Sequence, residues 1–235
     1  AGDNSQIAPD TFDLDGDGDT DEPIPFDQRG DGFDRIIGNT VDIGAVEVQE
    51  DTDENEVFDT LVVDTLVDEN DGDLSEGDVS LREAVNLIAA GGIITFADGI
   101  ANDSITLNGS ELFIDKALTI DGDLDDNGTP DITIDANGNS RVFNIDDENV
   151  IDVADVTLEG LNITGGRIRG DGGGILNQEN LTITNSTVSG NSANNEGGGI
   201  RNQENLTITN STVSGNSTNF TGGGIDNGGK ATLTN

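Results

Sequence analysis

The chain has 235 residues and a mass of 24.3 kDa, the size of one long domain or of one domain with an attached piece. It carries 48 Asp plus Glu against 9 Lys plus Arg, a formal net charge of -39, and no His, Cys, Met, Trp or Tyr. Such a charge repels phosphate backbones and anionic headgroups, and nine scattered cations build no basic stripe, which excludes nucleic acid as a partner. Without His or Cys the usual zinc, haem, thiol and Ser-His-Asp chemistries have no residues to run on, so any metal must be oxygen-ligated. No apolar run approaches the ~20 residues that span a bilayer, which argues against membrane insertion by this segment, and the N-terminus lacks the pattern of a signal peptide.

In chain order, residues 1–47 are acidic and rich in Gly and Asp. Asp13, Asp15, Asp17, Gly18 and Asp21 fit the pattern D-x-D-x-D-G-x-x-D. Oxygens at alternate positions converge on one point where Gly permits a sharp turn, the arrangement that a hard Ca²⁺ ion needs. Arg29 and Arg35 sit amid Asp27, Asp31, Asp34, Asp42 and Glu47 and read as internal ion-pair partners. Residues 48–59 have the composition of an exposed acidic linker. Residues 60–92 form an opening segment with a weaker acidic cluster, Asp68 to Asp78, and a predicted helix over Ser80–Ala90. Ser80 and Glu83 make a capping-box pattern, Leu81, Ala84, Val85 and Ile88 share one face, and Gly91-Gly92 end it. That helix is expected to cover the open first coil of the β structure C-terminal to it.

Residues 93–235 are predicted to be β coils. Ile105-Thr-Leu107, Leu118-Thr-Ile120 and Ile132-Thr-Ile134 read as strands of irregular first coils, and a second calcium pattern, Asp123, Asp125, Asn127, Gly128 and Asp131, lies between the last two. Neither loop has the EF-hand's Glu at the twelfth position, where Ile24 and Ile134 stand, so Glu22 and Asp135 are candidate extra ligands. The regular repeat then sets in: Gly172–Glu196 and Gly197–Thr221 are blocks of 25 residues that agree at 21 positions, and a third begins at Gly222. Apolar columns recur at that period: Val150, Ile175, Ile200, Ile225; Val156, Leu181, Leu206, Ala231; Leu158, Ile183, Ile208, Leu233; and Ile163, Val188, Val213. Alternation inside each block and Gly/Asn corners between strands predict an all-β fold, a parallel β-helix with coils stacked about 4.8 Å apart. Asn177, Asn202, Asn227 and Asn185, Asn210, Asn235 read as corner ladders, and Gly172–Gly174 as a corner where a side chain would collide. The sequons at Asn180, Asn185, Asn205 and Asn210 follow from the repeat and need imply no glycan.

Leu61–Ala90 resembles the CSLREA-type opening segment of bacterial exported right-handed β-helix proteins, with Val79 where that motif has Cys. Val156–Gly166 (VTLEGLNITGG) and the GGGI and LTITNSTVSGN blocks are similar to the repeats of those proteins and, more loosely, of polymorphic outer-membrane autotransporters. Asp10–Glu47 looks like the choice-of-anchor Q tail that normally closes such a module, so the chain reads as a slice through tandem modules, the tail of one and the truncated start of the next.

The resemblance implies a non-enzymatic structural protein of the bacterial cell surface or secreted matrix: a calcium-stabilised rod, filament or adhesin stalk that associates with neighbouring modules, with extracellular polysaccharide as a further partner. The alternative is a polysaccharide lyase or hydrolase, for which Arg167, Arg169 and Asp171 are the only cluster near the regular coils, and which the lack of Trp and Tyr platforms disfavours. An ice-binding solenoid is a lesser alternative, since Thr182/Thr184, Thr207/Thr209 and Thr232/Thr234 form outward ranks that Glu159, Asp135 and Asp121 interrupt.

Overall fold

The computed structural model describes residues 58–149 and 153–235, together with the strands Ile36–Ile37 and Thr40–Val41, which pair antiparallel. The chain divides into two compact units, Ala1–Val48 and Gln49–Asn235. The second is a parallel β-solenoid of four faces. Face A stacks Phe58–Val63, Ile88–Phe96, Leu118–Asp121, Asp155–Glu159, Asn180–Thr184, Asn205–Thr209 and Lys230–Thr234 in that order. Face B stacks Ser104–Thr106, Ile132–Asp135, Leu161–Thr164, Thr187–Ser189 and Thr212–Ser214. Face C has three short strands, Arg167–Ile168, Ser192–Ala193 and Ser217–Thr218, and face D has Leu112–Ile114, Phe143–Ile145, Ile175–Asn177, Ile200–Asn202 and Ile225–Asn227.

Alternation decides which side chains face in. In Asn180–Thr184, Leu181 and Ile183 are buried while Thr182 and Thr184 face out, as the period of two on a strand requires. Because the next block repeats the same residues 25 positions on, each inward aliphatic lands on its own copy: Leu181 pairs with Leu206 and then Ala231, Ile183 with Ile208 and Leu233, Val188 with Val213, and Ile200 with Ile225. Ile183, Ile200 and Ile208 are almost wholly out of water, each worth roughly 1.5–3 kcal/mol on burial. That gain exists only when one coil lies on another, so the unit of stability is the pair of coils.

The period fails below the regular blocks. Ile175 pairs with Phe143, not with Val150, which lies outside the described residues. The cause is an insertion, Asp146–Ala154, that separates Phe143–Ile145 from Asp155–Glu159, where later coils have only two residues between the same faces. Leu118–Asp121 and Ile132–Asp135 likewise turn out to be faces A and B of one coil, with the second calcium pattern between them.

The helix is shorter than its periodicity predicts. Ser80 is the N-cap of Leu81–Leu87, and the capping box forms with both bonds at 3.1 Å. Ile88–Phe96 is a strand rather than the end of the helix: Ile88 pairs with Phe58 and Ile93 with Thr60, so the strand bulges around Gly91-Gly92. A Cβ on Gly92 would sit 2.7 Å from the Ile88 side chain and 2.8 Å from the Asp59 carbonyl, so the glycines serve the bulge. Leu81, Ala84, Val85 and Ile88 are buried in the same core as the strands. The strand Phe58–Val63 also takes two residues from the segment read as linker, since Phe58 pairs with Ile88 and packs against the core into which Leu61 and Val63 are buried.

Candidate functional site

Between faces A and B, later coils turn in one or two residues: Gly160, or Asn185-Ser186. The earlier coil turns there through Gly122–Asp131. Leu158 pairs with Ile120, 38 positions earlier, whereas Ile163 pairs with Ile134, 29 positions earlier, and the difference of nine residues is the segment Asp123–Asp131. The second calcium pattern is therefore an insertion at one corner of the solenoid.

The loop is built on its own carboxylates. Asp123 is buried, and its two oxygens accept from the backbone N–H groups of Asn127 at 3.0 Å and Gly128 at 2.8 Å. Asp125 also accepts from Asn127 N–H at 3.2 Å, and Asp131 accepts from Leu124 N–H at 2.9 Å. Asp126 and Gly128 take left-handed backbone, φ 53° and 77°, which closes the turn. One carboxylate oxygen from each of Asp123, Asp125 and Asp131 lies within 4.8 Å of the others. Three carboxylates this close together could hold one oxygen-ligated metal ion.

Asn127 stands beside this triad. Its side-chain oxygen accepts from Thr129 N–H and Oγ1–H, while its own backbone N–H holds Asp123 and Asp125. Asp135 is not part of the cluster: it lies at the far end of Ile132–Asp135 and accepts from Asn137 N–H. Ile134 is fully buried in the core. Asp13, Asp15, Asp17 and Asp21, with Arg29 and Arg35, lie outside the described residues.

The loop reaches along the solenoid. A Cβ on Gly160, one coil further on, would collide with the backbone of Asp123. At Gly128 a Cβ would stand 3.8 Å from the side chain of Asn185, two coils on. Glu159 lies beneath this overhang and accepts from Asn185 Nδ2 at 3.2 Å. Partial burial first, then repulsion from Asp121, Asp123 and Asp126, pushes its carboxyl above the ordinary 4.5. A carboxyl raised in the folded state favours folding while protonated, below about 4.5, and costs stability as pH rises through the raised value. Glu159→Gln keeps the acceptor for Asn185 and removes the charge. In calcium-free buffer its melting temperature is expected to match the parent below pH 4.5 and to exceed it at neutral pH; equal melting temperatures across that range would refute the account.

Three acids of the cluster Asp68 to Asp78 accept hydrogen bonds within the opening segment. Asp68 binds Arg82 through both oxygens at 2.7 and 2.8 Å, and Arg82 also donates to the carbonyls of Ser110 and Glu111, which ties the opening segment to the first coil. Glu83 accepts from the N–H groups of Asp71 and Gly72, Asp71 from Asp73, and Asp73 from Ser75. Arg167 and Arg169 are exposed and make no ion pair with a described residue, and Asp171 accepts from the N–H of Glu196.

Three features of the interior escaped the sequence reading. Asn177 and Asn202 do form a buried ladder, each donating Nδ2 to the next Asn at 2.7 Å and to a carbonyl two residues on at 2.8 Å. Asn185 and Asn210 take left-handed φ of 50° and 49°, but the Asn185 amide goes to Glu159 and not to its copy. The second interior ladder is instead Asn191 and Asn216: Asn191 accepts from Gly166 N–H at 2.8 Å and donates to Asn216 Oδ1 and to the Ile163 carbonyl. Ser186 and Ser211 form a third, each hydroxyl receiving the N–H of a residue 25 earlier. The signal was present, since Asn191 and Asn216 share the 25-residue period, but S-G-N reads as an exposed turn. Glu179 was also missed: it is buried under the Asp146–Ala154 insertion, where it accepts from Asp147 and Ala154 N–H, and burial raises its pKa.

No family model matches the chain, and no curated protein or solved structure is detectably similar to it. Among the described residues, no helix is long and apolar enough to cross a membrane.

Proposed function

We propose that the chain is a non-enzymatic structural element: a β-helical rod or stalk of a bacterial cell surface or secreted matrix, stiffened by calcium. The observation that carries this reading is the unbroken register of coil on coil, in which aliphatic columns and buried amide ladders run the length of the regular blocks. Bonds that run along the axis resist extension in the direction in which a stalk is pulled. The winding is right-handed, as parallel crossovers overwhelmingly are, and Leu81–Leu87 covers the first coil. The resemblance of Leu61–Ala90 and Asp10–Glu47 to opening and tail segments of exported β-helix modules supplies the location, outside the cell, and the self-association of modules as the mode of assembly.

Calcium acts on this rod as a staple. Asp123, Asp125 and Asp131 hold the ion with the Asn127 segment closing the turn, and Asp13, Asp15, Asp17 and Asp21 repeat the pattern in the other unit. Because the loop overhangs Gly160 and Asn185, neutralising its charge locks three successive coils together. With a Kd of about 0.1–1 mM, typical of extracellular sites, about 10 mM Ca²⁺ adds roughly 1.4–2.7 kcal/mol per site. The expected result is a melting temperature several degrees higher in calcium than in EGTA, a gain reduced in Asp123→Asn. No response to either reagent would refute the calcium assignment. Solution scattering that gave a compact particle, or turnover of an acidic glycan that stopped on mutating Arg167 or Arg169, would overturn the structural reading.

A further inference from the structure

Asparagine is followed by glycine four times in the chain, at Asn108, Asn127, Asn137 and Asn227. Such a pair is open to one intrinsic reaction, because a following residue without Cβ lets its backbone nitrogen swing onto the asparagine side-chain amide. The fold holds three of the four nitrogens. Gly128 N–H donates to Asp123 Oδ2 at 2.8 Å, Gly138 N–H to the Gly165 carbonyl at 2.7 Å and Gly228 N–H to the Asn202 carbonyl at 2.8 Å. Two of the side chains are engaged as well: Asn127 Oδ1 accepts from Thr129 N–H, and Asn227 Nδ2 donates to the Gly229 carbonyl. Gly109 N–H has no acceptor among the described residues, and the Asn108 side chain makes no hydrogen bond with them.

The surroundings of Asn108 anchor the loop and leave the reacting atoms free. Its own N–H donates to Asp68 Oδ2 at 2.5 Å, Leu107 N–H donates to the Asp135 carbonyl at 2.8 Å, and the Ser110 and Glu111 carbonyls accept from Arg82. Between these anchors Gly109 is exposed, takes φ 91° and has no atom within 4 Å of where a Cβ would stand. Asn137 is the matched comparison: it lines the same open cleft as Asn108, and both are exposed. What separates the two is the bond on the following nitrogen.

We propose that Asn108 is a site of spontaneous modification in the folded chain, losing its side-chain amide through a cyclic imide closed by the Gly109 nitrogen. That nitrogen gives its proton to solvent base and attacks Asn108 Cγ. The N–Cγ bond forms, the Cγ–Nδ2 bond breaks, and Nδ2 takes a proton and leaves as ammonia. Water then opens the imide at one of its two carbonyls, restoring the Gly109 N–H and leaving aspartate or, with the backbone rerouted through Cγ, isoaspartate. The product sets a new carboxylate beside Asp68, where like charges repel. As isoaspartate it also adds a methylene to a loop pinned on both sides. Both changes loosen the tie between the opening segment and the first coil.

The test is to age the full chain at mildly alkaline pH, folded and in denaturant, and to map the four peptides by mass spectrometry with fragmentation that separates aspartate from isoaspartate. A backbone hydrogen bond that must break first slows the reaction about 10-fold. In the folded chain Asn108 is therefore expected to convert about 10-fold faster than Asn127, Asn137 or Asn227, and in denaturant the four rates should converge. The aged chain should also show faster amide exchange in Leu81–Leu87, a change that Asn108→Gln prevents. Conversion at Asn137 that keeps pace with Asn108 in the folded chain overturns the proposal, as does an Asn108 that does not convert. A lead for Asn108 that persists in denaturant overturns it too, since local sequence and not the fold would then set the rate. Exchange in Leu81–Leu87 that conversion leaves unaltered overturns the loosening of the opening segment.

Discussion

Asn202→Asp is expected to unravel the solenoid from residue 202 toward the C-terminus and to lower its stability by about 3–5 kcal/mol, the penalty of a buried charge left without a partner. Asn202 is fully buried, its Nδ2 donates to the Glu204 carbonyl and Asn227 Oδ1, and its Oδ1 accepts from Asn177. Aspartate keeps the acceptor and turns the donor into a second oxygen that faces two acceptors. The carboxyl protonates to escape, so the deficit should shrink toward acidic pH. Asn202→Ala leaves no charge and keeps the Asn177 donation to the Glu179 carbonyl, and is expected to cost only about 1–3 kcal/mol. Because each coil touches only its neighbours, damage depends on position. Asn177→Asp should release more of the chain than Asn202→Asp, and Asn227→Asp, at an exposed position, should cost little. Hydrogen exchange reads this directly: Leu118–Asp121 and Asp155–Glu159 stay protected in all three variants, and the boundary of protection moves with the substitution. Equal losses at 177, 202 and 227 would show that the amide column is not what joins the coils.

The part of the fold legible in the sequence is the part where two periods coincide. Leu181 and Ile183 alternate within a strand and recur after 25 residues, so both their inward direction and their partners Leu206 and Ile208 follow from spacing alone. Corners obey the long period but not the short one. Asn191 and Asn185 look alike on that ground, yet the first turns inward to bond Asn216 and the second outward to Glu159. The direction depends on local φ and ψ at each corner, which composition does not fix. Insertions were legible as chemistry and not as place. The spacing of Asp123, Asp125 and Asp131 shows a turn whose oxygens converge, and only the pairings of Ile120 with Leu158 and Ile134 with Ile163 show that this turn replaces Gly160. The helix erred in length because Ile88 satisfies two patterns at once: it extends the apolar face of Leu81, Ala84 and Val85, and it starts the strand that pairs with Phe58. Pairing along face A won, since the strand continues to Phe96 and fills the core with Ile94 and Phe96.

Gly198→Ala is expected to be among the most damaging single substitutions in the chain although it adds one methyl group. The added Cβ would fall inside contact distance of the carbonyl oxygens of Ser217 and Gly223. Both are backbone atoms, and neither can swing aside as a side chain would. The spacing between these coils is fixed by Gly198 N–H to the Gly222 carbonyl at 2.9 Å, Gly199 N–H to Gly223 at 3.1 Å and Ile200 N–H to Gly224 at 2.9 Å. Relief of the clash requires the corner to open and those bonds to stretch. Overpacking costs about 1–3 kcal/mol, and two or three lost backbone bonds about 1 kcal/mol each, so the combined loss is about 3–6 kcal/mol. Gly215→Ala is the control. Gly215 has φ 62° and an almost open surround, its nearest neighbour being Gly190 N at 3.9 Å, so alanine there meets only the left-handed backbone penalty of about 1–2 kcal/mol. At about 2–4 °C per kcal/mol, the two variants should melt visibly apart, Gly198→Ala lower. If Gly215→Ala proved the worse of the two, backbone conformation rather than the closeness of successive coils would be what the glycine corner serves.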